Sequence, residues 1–267
     1  MSGIRGLIRS DMVRVSSLTA VSTLVKMLTG FVSIKVLATI IGPAGIALIG
    51  QLGNFTTMAL NFASGGINTG VTRGIAANRE NPASLYDHIS TALRITVLFS
   101  LVSGFLIMLL SAFLSRRILG SDEYSVVFLI FGGTLTLYSL NNLLLAILNG
   151  FKEFRKYVVV NIVTSITGMA FSIILVLIWN VKGALISYVT YQSVILIVTI
   201  YMVRKSGWFQ PRFFKNRLNL GMTKELLGFS AMTFVSAIVL PASQLIVRSY
   251  LTGHLSLESA GIWEGMN

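Results

Sequence analysis

Seven stretches of the chain are apolar enough to form membrane-crossing helices, at about 15–41, 43–64, 93–114, 124–148, 157–179, 183–203 and 226–251. Polar residues inside them recur at helical spacing rather than at random. Ser22, Lys26, Thr29 and Ser33 form one row, Gln51, Asn54, Asn61 and Gly65 a second, and Thr134, Tyr138 and Asn142 a third. Asn161, Thr164, Gly168 and Ser172 follow, then Tyr188, Gln192 and Thr199. The last stretch carries Ser230, Thr233, Ala237, Pro241, Gln244 and Arg248. The third stretch lacks such a row and is expected to meet lipid. Each row has a structural reading, hydrogen bonding and small-residue packing between helices. Several rows in one chain point instead to a shared hydrophilic interior.

Between the stretches, Gly42-Pro43 and Asn149-Gly150 read as turns. Residues 66–80 read as an amphipathic helix, with Ile67, Val71 and Ile75 on its apolar side. In 204–224, Trp208, Phe209, Phe213, Phe214 and Leu218 interleave with basic residues, the pattern of a segment lying among anionic headgroups. RNA binding is the other formal reading of that pattern, and the flanking apolar stretches argue against it. Pro241, near the middle of the last stretch, frees the carbonyl of Ala237 and predicts a kink, either static or a hinge.

Lys26 dominates the electrostatic picture. It falls near the midpoint of the first stretch, beyond the reach of either interface. A charge there costs roughly 2.5–3.5 kcal/mol on insertion scales unless it faces a wet cavity or a partner. Lys35 turns to the opposite side and lies close enough to the helix end to snorkel. Arg248 is near the end of its stretch and has the same option. All nine acidic residues fall outside the apolar stretches, so Lys26 has no carboxylate within them. Either another segment supplies one, or a mobile anion does, or the amine sheds its proton in the apolar medium. The polar rows favour the anion, and phosphate suits an ammonium point charge.

Composition agrees with a polytopic all-α membrane protein: 54% hydrophobic, 11% charged, mean hydropathy +0.79. The long uncharged runs argue against a β-barrel, whose strands alternate. The net charge of +12 does not imply nucleic acid. Most of the 21 basic residues cluster before the first stretch and after the second, fourth and sixth, which by the positive-inside rule places the N-terminus in the cytoplasm. The first stretch is too long for a signal peptide. Without cysteine there is no disulfide framework, and His88 and His254 offer no metal-ligand spacing. Neither a catalytic constellation nor a phosphate-cradling loop is present, so no enzyme activity, cofactor or metal is expected. Asp122-Glu123 in a loop admits a metal, as a membrane glycosyltransferase would need, but adjacent loop acids more often read as a solvated pair.

The segments Ser22-Thr23-Leu24-Val25-Lys26, Lys35-Val36-Leu37-Ala38, Gly42-Pro43-Ala44-Gly45, Gly70-Val71-Thr72-Arg73, Asn149-Gly150-Phe151, Leu240-Pro241 and Gly261-Ile262-Trp263 resemble the Wzx-type O-antigen flippases, in particular those that move a lipid-linked enterobacterial common antigen unit. The resemblance implies the two-lobe fold of the multidrug/oligosaccharidyl-lipid/polysaccharide exporters, with six helices per lobe around a central cavity. It then implies a six-helix N-terminal lobe over 1–203, an interfacial linker over 204–225, and the start of a second lobe over 226–267. The implied substrate is an undecaprenyl-pyrophosphate-linked oligosaccharide, moved from the cytoplasmic to the periplasmic leaflet of a bacterial inner membrane. Membrane lipids, an O-antigen polymerase and glycosyltransferases are the further partners it admits.

On that likeness Lys26 and Arg248 match cationic interior positions. The expected substrate-binding set is Lys26, Arg248, Asn54, Gln244 and Lys35, with Pro241 as hinge. The echo of Ala44-Gly45-Ile46 in Ala260-Gly261-Ile262 suggests two related units, hence the N-terminal portion of a longer protein. The competing readings are a cation-coupled drug exporter of the same fold, a membrane glycosyltransferase or O-unit polymerase, and an inactive truncated remnant.

Overall fold

The computed structural model describes residues 2–79, 81–210, 220–254 and Trp263; the side chains of 2–16 and of several later positions, Pro241 and Arg248 among them, lie outside that description. Helices α1 (Ser2–Ala63), α2 (Asn68–Ala77), α3 (Pro82–Leu109), α4 (Ser111–Leu119), α5 (Ser125–Gly150), α6 (Phe154–Arg204) and α7 (Leu220–His254) account for nearly all of it, with a short 3₁₀ turn at Asp122–Tyr124 and no strand among the described residues.

Four helical segments of the described residues are long and apolar enough to cross a membrane: Ser17–Ala63, Ser84–Leu109, Asp122–Gly150 and Phe154–Arg204. Two of them fold back on themselves. In α1 the break is at Gly42, whose φ of 67° and ψ of −177° no β-carbon-bearing residue adopts comfortably, followed by Pro43, which has no amide proton to lose. In α6 the break is at Trp179 and Asn180, the latter at φ 48°. A straight helix of 51 residues would part its ends by roughly 75 Å. Instead Ser206 Oγ donates to Glu153 Oε2 at 2.9 Å and accepts from Lys156 Nζ at 2.7 Å, so both ends of α6 meet. The four segments therefore make six crossings, in agreement with the first six apolar stretches. The chain is an all-α, multi-pass membrane protein.

The third crossing differs from the pattern-based boundaries of 93–114. It begins at Pro82, which occupies the first helical turn after Asn81, whose side chain accepts from the Ser84 amide at 3.3 Å. It ends at Leu109, and α4 starts afresh at Ser111. Hydropathy could not see the start, because the first turns of α3 are polar and a cap is a local hydrogen-bond event. The lipid-facing expectation holds: Leu98, Leu101, Phe105 and Leu109 are exposed on the surface of α3.

Two cores of different character hold the bundle. In the membrane-spanning part, Phe128, Phe131 and Leu135 of α5 pack with Leu48 and Leu52 of α1 and Leu185 and Val189 of α6, and Phe55 meets Phe128 edge-on with centroids 5.4 Å apart. Lipid tails are as apolar as these side chains, so close packing rather than water exclusion holds them. Gly104 and Gly132 carry that packing furthest: a β-carbon on either would stand 2.5 Å from the other's carbonyl oxygen, so α3 and α5 touch backbone to backbone. At the end bearing the basic loops, Ile67 just before α2 and Val71 and Ile75 on it pack with Ile89 of α3, Leu143 and Ile147 of α5 and Leu226 of α7. There the amphipathic helix read from 66–80 buries its apolar side as expected, and close to water each fully buried Ile or Leu contributes about 1.5–3 kcal/mol.

The aromatics of the basic linker behave differently from the headgroup-lying segment. Trp208 stacks on Phe151 with centroids 4.2 Å apart and planes 9° from parallel, and Phe209 packs beside it against the same core. An apolar core within reach competes with the interface for these rings and wins them. Phe213, Phe214 and Leu218 lie outside the described residues.

Candidate functional site: a polar cleft between the two hairpins

The hairpins of α1 and α6 pack together and leave between them a cleft of about 400 Å³. Lys26, Thr29 and Ser33 line it from the first limb of α1. Asn161, Thr164, Gly168 and Ser172 line it from the first limb of α6, with Ser187, Tyr188, Tyr191 and Gln192 from the second. Three of the polar rows in the sequence therefore converge on one space. Folding α6 at Trp179 and Asn180 is what makes them neighbours: a β-carbon on Gly168 would lie 3.1 Å from the Tyr191 ring. Lys26 is 16 positions before Gly42, or about 24 Å along the helix, so it stands in the half of the cleft nearer the basic end.

Four hydroxyls of the wall are turned to their own helices. Thr29 Oγ1 donates to the Val25 carbonyl at 2.8 Å, Thr164 Oγ1 to Val160 at 2.7 Å, Ser165 Oγ to Asn161 at 3.0 Å and Ser187 Oγ to Ala184 at 2.7 Å. A hydroxyl has one proton, and these four spend it on their own helices. What they present to the cleft is oxygen lone pairs. Lys26 supplies the opposite polarity, three N–H donors with a full positive charge. It makes no ion pair among the described residues, and no acidic residue lines the cleft.

The acids occupy the ends of the bundle instead. Glu153 pairs with Lys156 at 2.7 Å, Glu123 with Lys182 at 2.9 Å, and Asp122 with Arg116. The hydrogen bond and charge of Asp122 raise the Arg116 guanidinium above its ordinary value, which keeps it cationic at any pH the protein meets.

Behind the cleft a buried network fixes its far wall. Asn141 Nδ2 donates to Gln192 Oε1 at 2.8 Å, and Thr199 Oγ1 donates to Asn141 Oδ1 at 2.6 Å. Ser193 Oγ reaches across to the Thr134 carbonyl at 3.1 Å. The row read on α5 included Asn142, but Asn141 makes these bonds. The i, i+4 rule chose the right helix and a position one residue away, because a row of polar residues does not show which edge of it meets a neighbour.

The remaining expected site residues are placed as follows. Lys35 is exposed and does not line the cleft, as its opposite phase along α1 implied. Asn54 lies on the second limb of α1, outside the cleft lining, with Nδ2 buried and unpartnered among the described residues. Gln244 is half-buried on α7 and is also absent from the lining. Pro241 and Arg248 are in the helical run of α7, with side chains outside the described residues. Ser165, Ser187 and Tyr191 join the lining without having been singled out; the hairpin turn that brings Tyr191 to Gly168 was the missing information.

Comparison with solved structures places this fold of helical hairpins. The fold resembles a multidrug resistance MATE family transporter of the MOP superfamily in its inward-facing conformation, with TM-score 0.72 and 14% identity over 90% of this chain and 56% of that one. The outward-facing conformation gives 0.71 and 16% over 94% and 57%. A MOP superfamily transporter from Pyrococcus furiosus, described as having a binding pocket of reversed polarity, gives 0.75 and 15% over 90% and 55%. The chain belongs to the polysaccharide biosynthesis protein family, which it matches over residues 12–267. Among curated proteins it is similar to the Lipid III flippase of Escherichia coli K12 and that of Shigella flexneri, each 27% identical over 257 residues. Those matches cover 96% of this chain and 62% of each relative, so the chain spans about three-fifths of their length.

Proposed function

We propose that this chain takes part in flipping an undecaprenyl-pyrophosphate-linked oligosaccharide from the cytoplasmic to the periplasmic leaflet of a bacterial inner membrane. The observation that carries the proposal is the composition of the cleft: an ammonium with no ion-pair partner among the described residues, facing a largely apolar wall that carries four hydroxyl oxygens with free lone pairs. Pyrophosphate needs concentrated positive charge, which Lys26 supplies. Sugar hydroxyls need acceptors, which Thr29, Thr164, Ser165 and Ser187 supply because their own protons are committed. The polyprenyl tail stays in lipid. The similarity to a Lipid III flippase supports the same substrate class.

With the basic loops in the cytoplasm, Lys26 stands in the half of the cleft from which a cytoplasmic substrate enters. Arg248 and Gln244 on α7 are assigned to later contacts along the path, Asn54 and Lys35 to its flanks, and Pro241 to the bend that exchanges inward and outward access. Residues 1–203 form the first lobe, 204–225 the linker and 226–267 the start of the second. O-antigen polymerase and glycosyltransferases are the protein partners such a path would serve. A cation-coupled drug exporter of the same fold calls for an acidic group in the cleft, and none of the lining residues is acidic.

The test is complementation. In a bacterium lacking its own flippase for the relevant unit, Lys26→Ala should abolish display of the polysaccharide at the cell surface, and Lys26→Arg should retain part of it. Full display with Lys26→Ala, at normal protein level, removes the ammonium from the mechanism.

A further inference from the structure

A second cavity, of about 670 Å³, lies at the opposite end of the bundle from the basic loops, between the start of α5 and the turn of α6. Its walls are Val126, Ile130, Phe171, Leu175 and Ile186, and its mouth carries Trp179, Glu123 and Lys182. Thr190, the one hydroxyl deep in it, donates to the Ile186 carbonyl at 2.7 Å, so the deep wall is effectively apolar.

Three features identify its occupant. From Trp179 to Phe171 the helix descends about 12 Å, close to the roughly 15 Å of hydrocarbon in one leaflet. Trp179 is 55% exposed and sits at the turn, where an indole marks the boundary between hydrocarbon and headgroups. At that level Glu123 Oε1 and Lys182 Nζ stand 2.9 Å apart, each about half exposed, so neither charge is neutralised by burial in the protein.

We propose that this groove holds one glycerophospholipid of the adjoining leaflet, an aminophospholipid with a primary ammonium. Its acyl chain lies along Ile130, Phe171 and Leu175. Its phosphate takes Lys182 while its ammonium takes Glu123. A zwitterion of that order inserts into the existing ion pair, giving each protein charge a new partner of the correct sign. A net anionic headgroup satisfies Lys182 alone and faces Glu123 with like charge. A quaternary ammonium has no N–H to donate to the carboxylate. The site is distinct from the Lys26 cleft and does not depend on the transport proposal.

Brominated lipids quench tryptophan only on contact, so the experiment uses Trp179 as reporter in the otherwise intact chain with Trp208→Phe and Trp263→Phe. The protein is placed in vesicles containing brominated phosphatidylethanolamine, phosphatidylcholine or phosphatidylglycerol at equal mole fraction. Phosphatidylethanolamine should quench about three- to fivefold more effectively per lipid than the other two, the factor an exposed ion pair supports. Glu123→Gln and Lys182→Gln should each bring the three lipids level. Equal quenching by all three in the parent, a preference for phosphatidylglycerol, or a preference unchanged by both substitutions overturns the assignment.

Discussion

Asn141 stands between Gln192 and Thr199, donating to the first at 2.8 Å and accepting from the second at 2.6 Å, and it is completely buried. One amide thus ties α5 to the second limb of α6 and fixes a residue of the cleft wall. Inside a bilayer such bonds contribute about 0.6 kcal/mol on average and up to about 1.7.

Asn141→Leu should therefore lower stability by about 1–2 kcal/mol, since it leaves two buried partners without their bond. Thr199→Val, which removes one bond, should cost less. Thermal unfolding in detergent with an intrinsic fluorescence readout orders the two. Equal and negligible effects would show that the network is not a structural tie.

Gly74 faces the imidazole of buried His88, and a β-carbon there would lie 2.1 Å from Nε2. Gly74→Val should push α2 off the basic-end core at a cost of about 1–3 kcal/mol, the usual range for overpacking. The loss should appear as faster proteolysis in the loops flanking α2. Gly74→Val combined with His88→Ala should recover much of it, because the space is then vacant.

Gly42→Ala places a β-carbon at φ 67° in the turn of the first hairpin. A positive φ with ψ near 180° is open essentially to glycine alone and costs another residue about 1–3 kcal/mol. A midpoint drop in thermal unfolding is expected, whereas Gly30→Ala, mid-helix with open space around it, should be neutral or stabilising by up to about 1 kcal/mol. The reverse order would show that Gly42 is not the constraint on the turn.

Ser172→Phe puts a ring into the cleft without touching Lys26. Polysaccharide display should fall about tenfold or more, the equivalent of about 1.4 kcal/mol, with folding retained. Ser172→Ala should be nearly silent. Unimpaired display with phenylalanine would place the substrate path elsewhere.

The expectation for Lys26 shows how far a linear pattern reaches. A lysine within an apolar run has to face something polar, and its phase along the helix named Thr29 and Ser33 as companions; the structure puts all three on one wall. The second row did not follow. Asn54 shares a helix with Lys26 only across the Gly42 turn, and that turn rotates the second limb so that only Ile49 of it reaches the cleft lining. The basic neighbours of Trp208 point it to headgroups, yet it stacks on Phe151, more than fifty positions earlier, a partner no local window contains.

By itself the sequence determined the helical class, the number and order of the first six crossings, the basic end and the polar faces of the first limb of α1 and of α6. These follow from hydropathy over some twenty residues and from a period of 3.6, both local properties. Which faces meet was decided only by tertiary structure. Two backbone breaks, at Gly42 and at Trp179-Asn180, set the rotation of one limb against the other. A few dihedral angles there choose whether separate polar stripes face lipid, each other or a common cleft, and no periodicity records that choice.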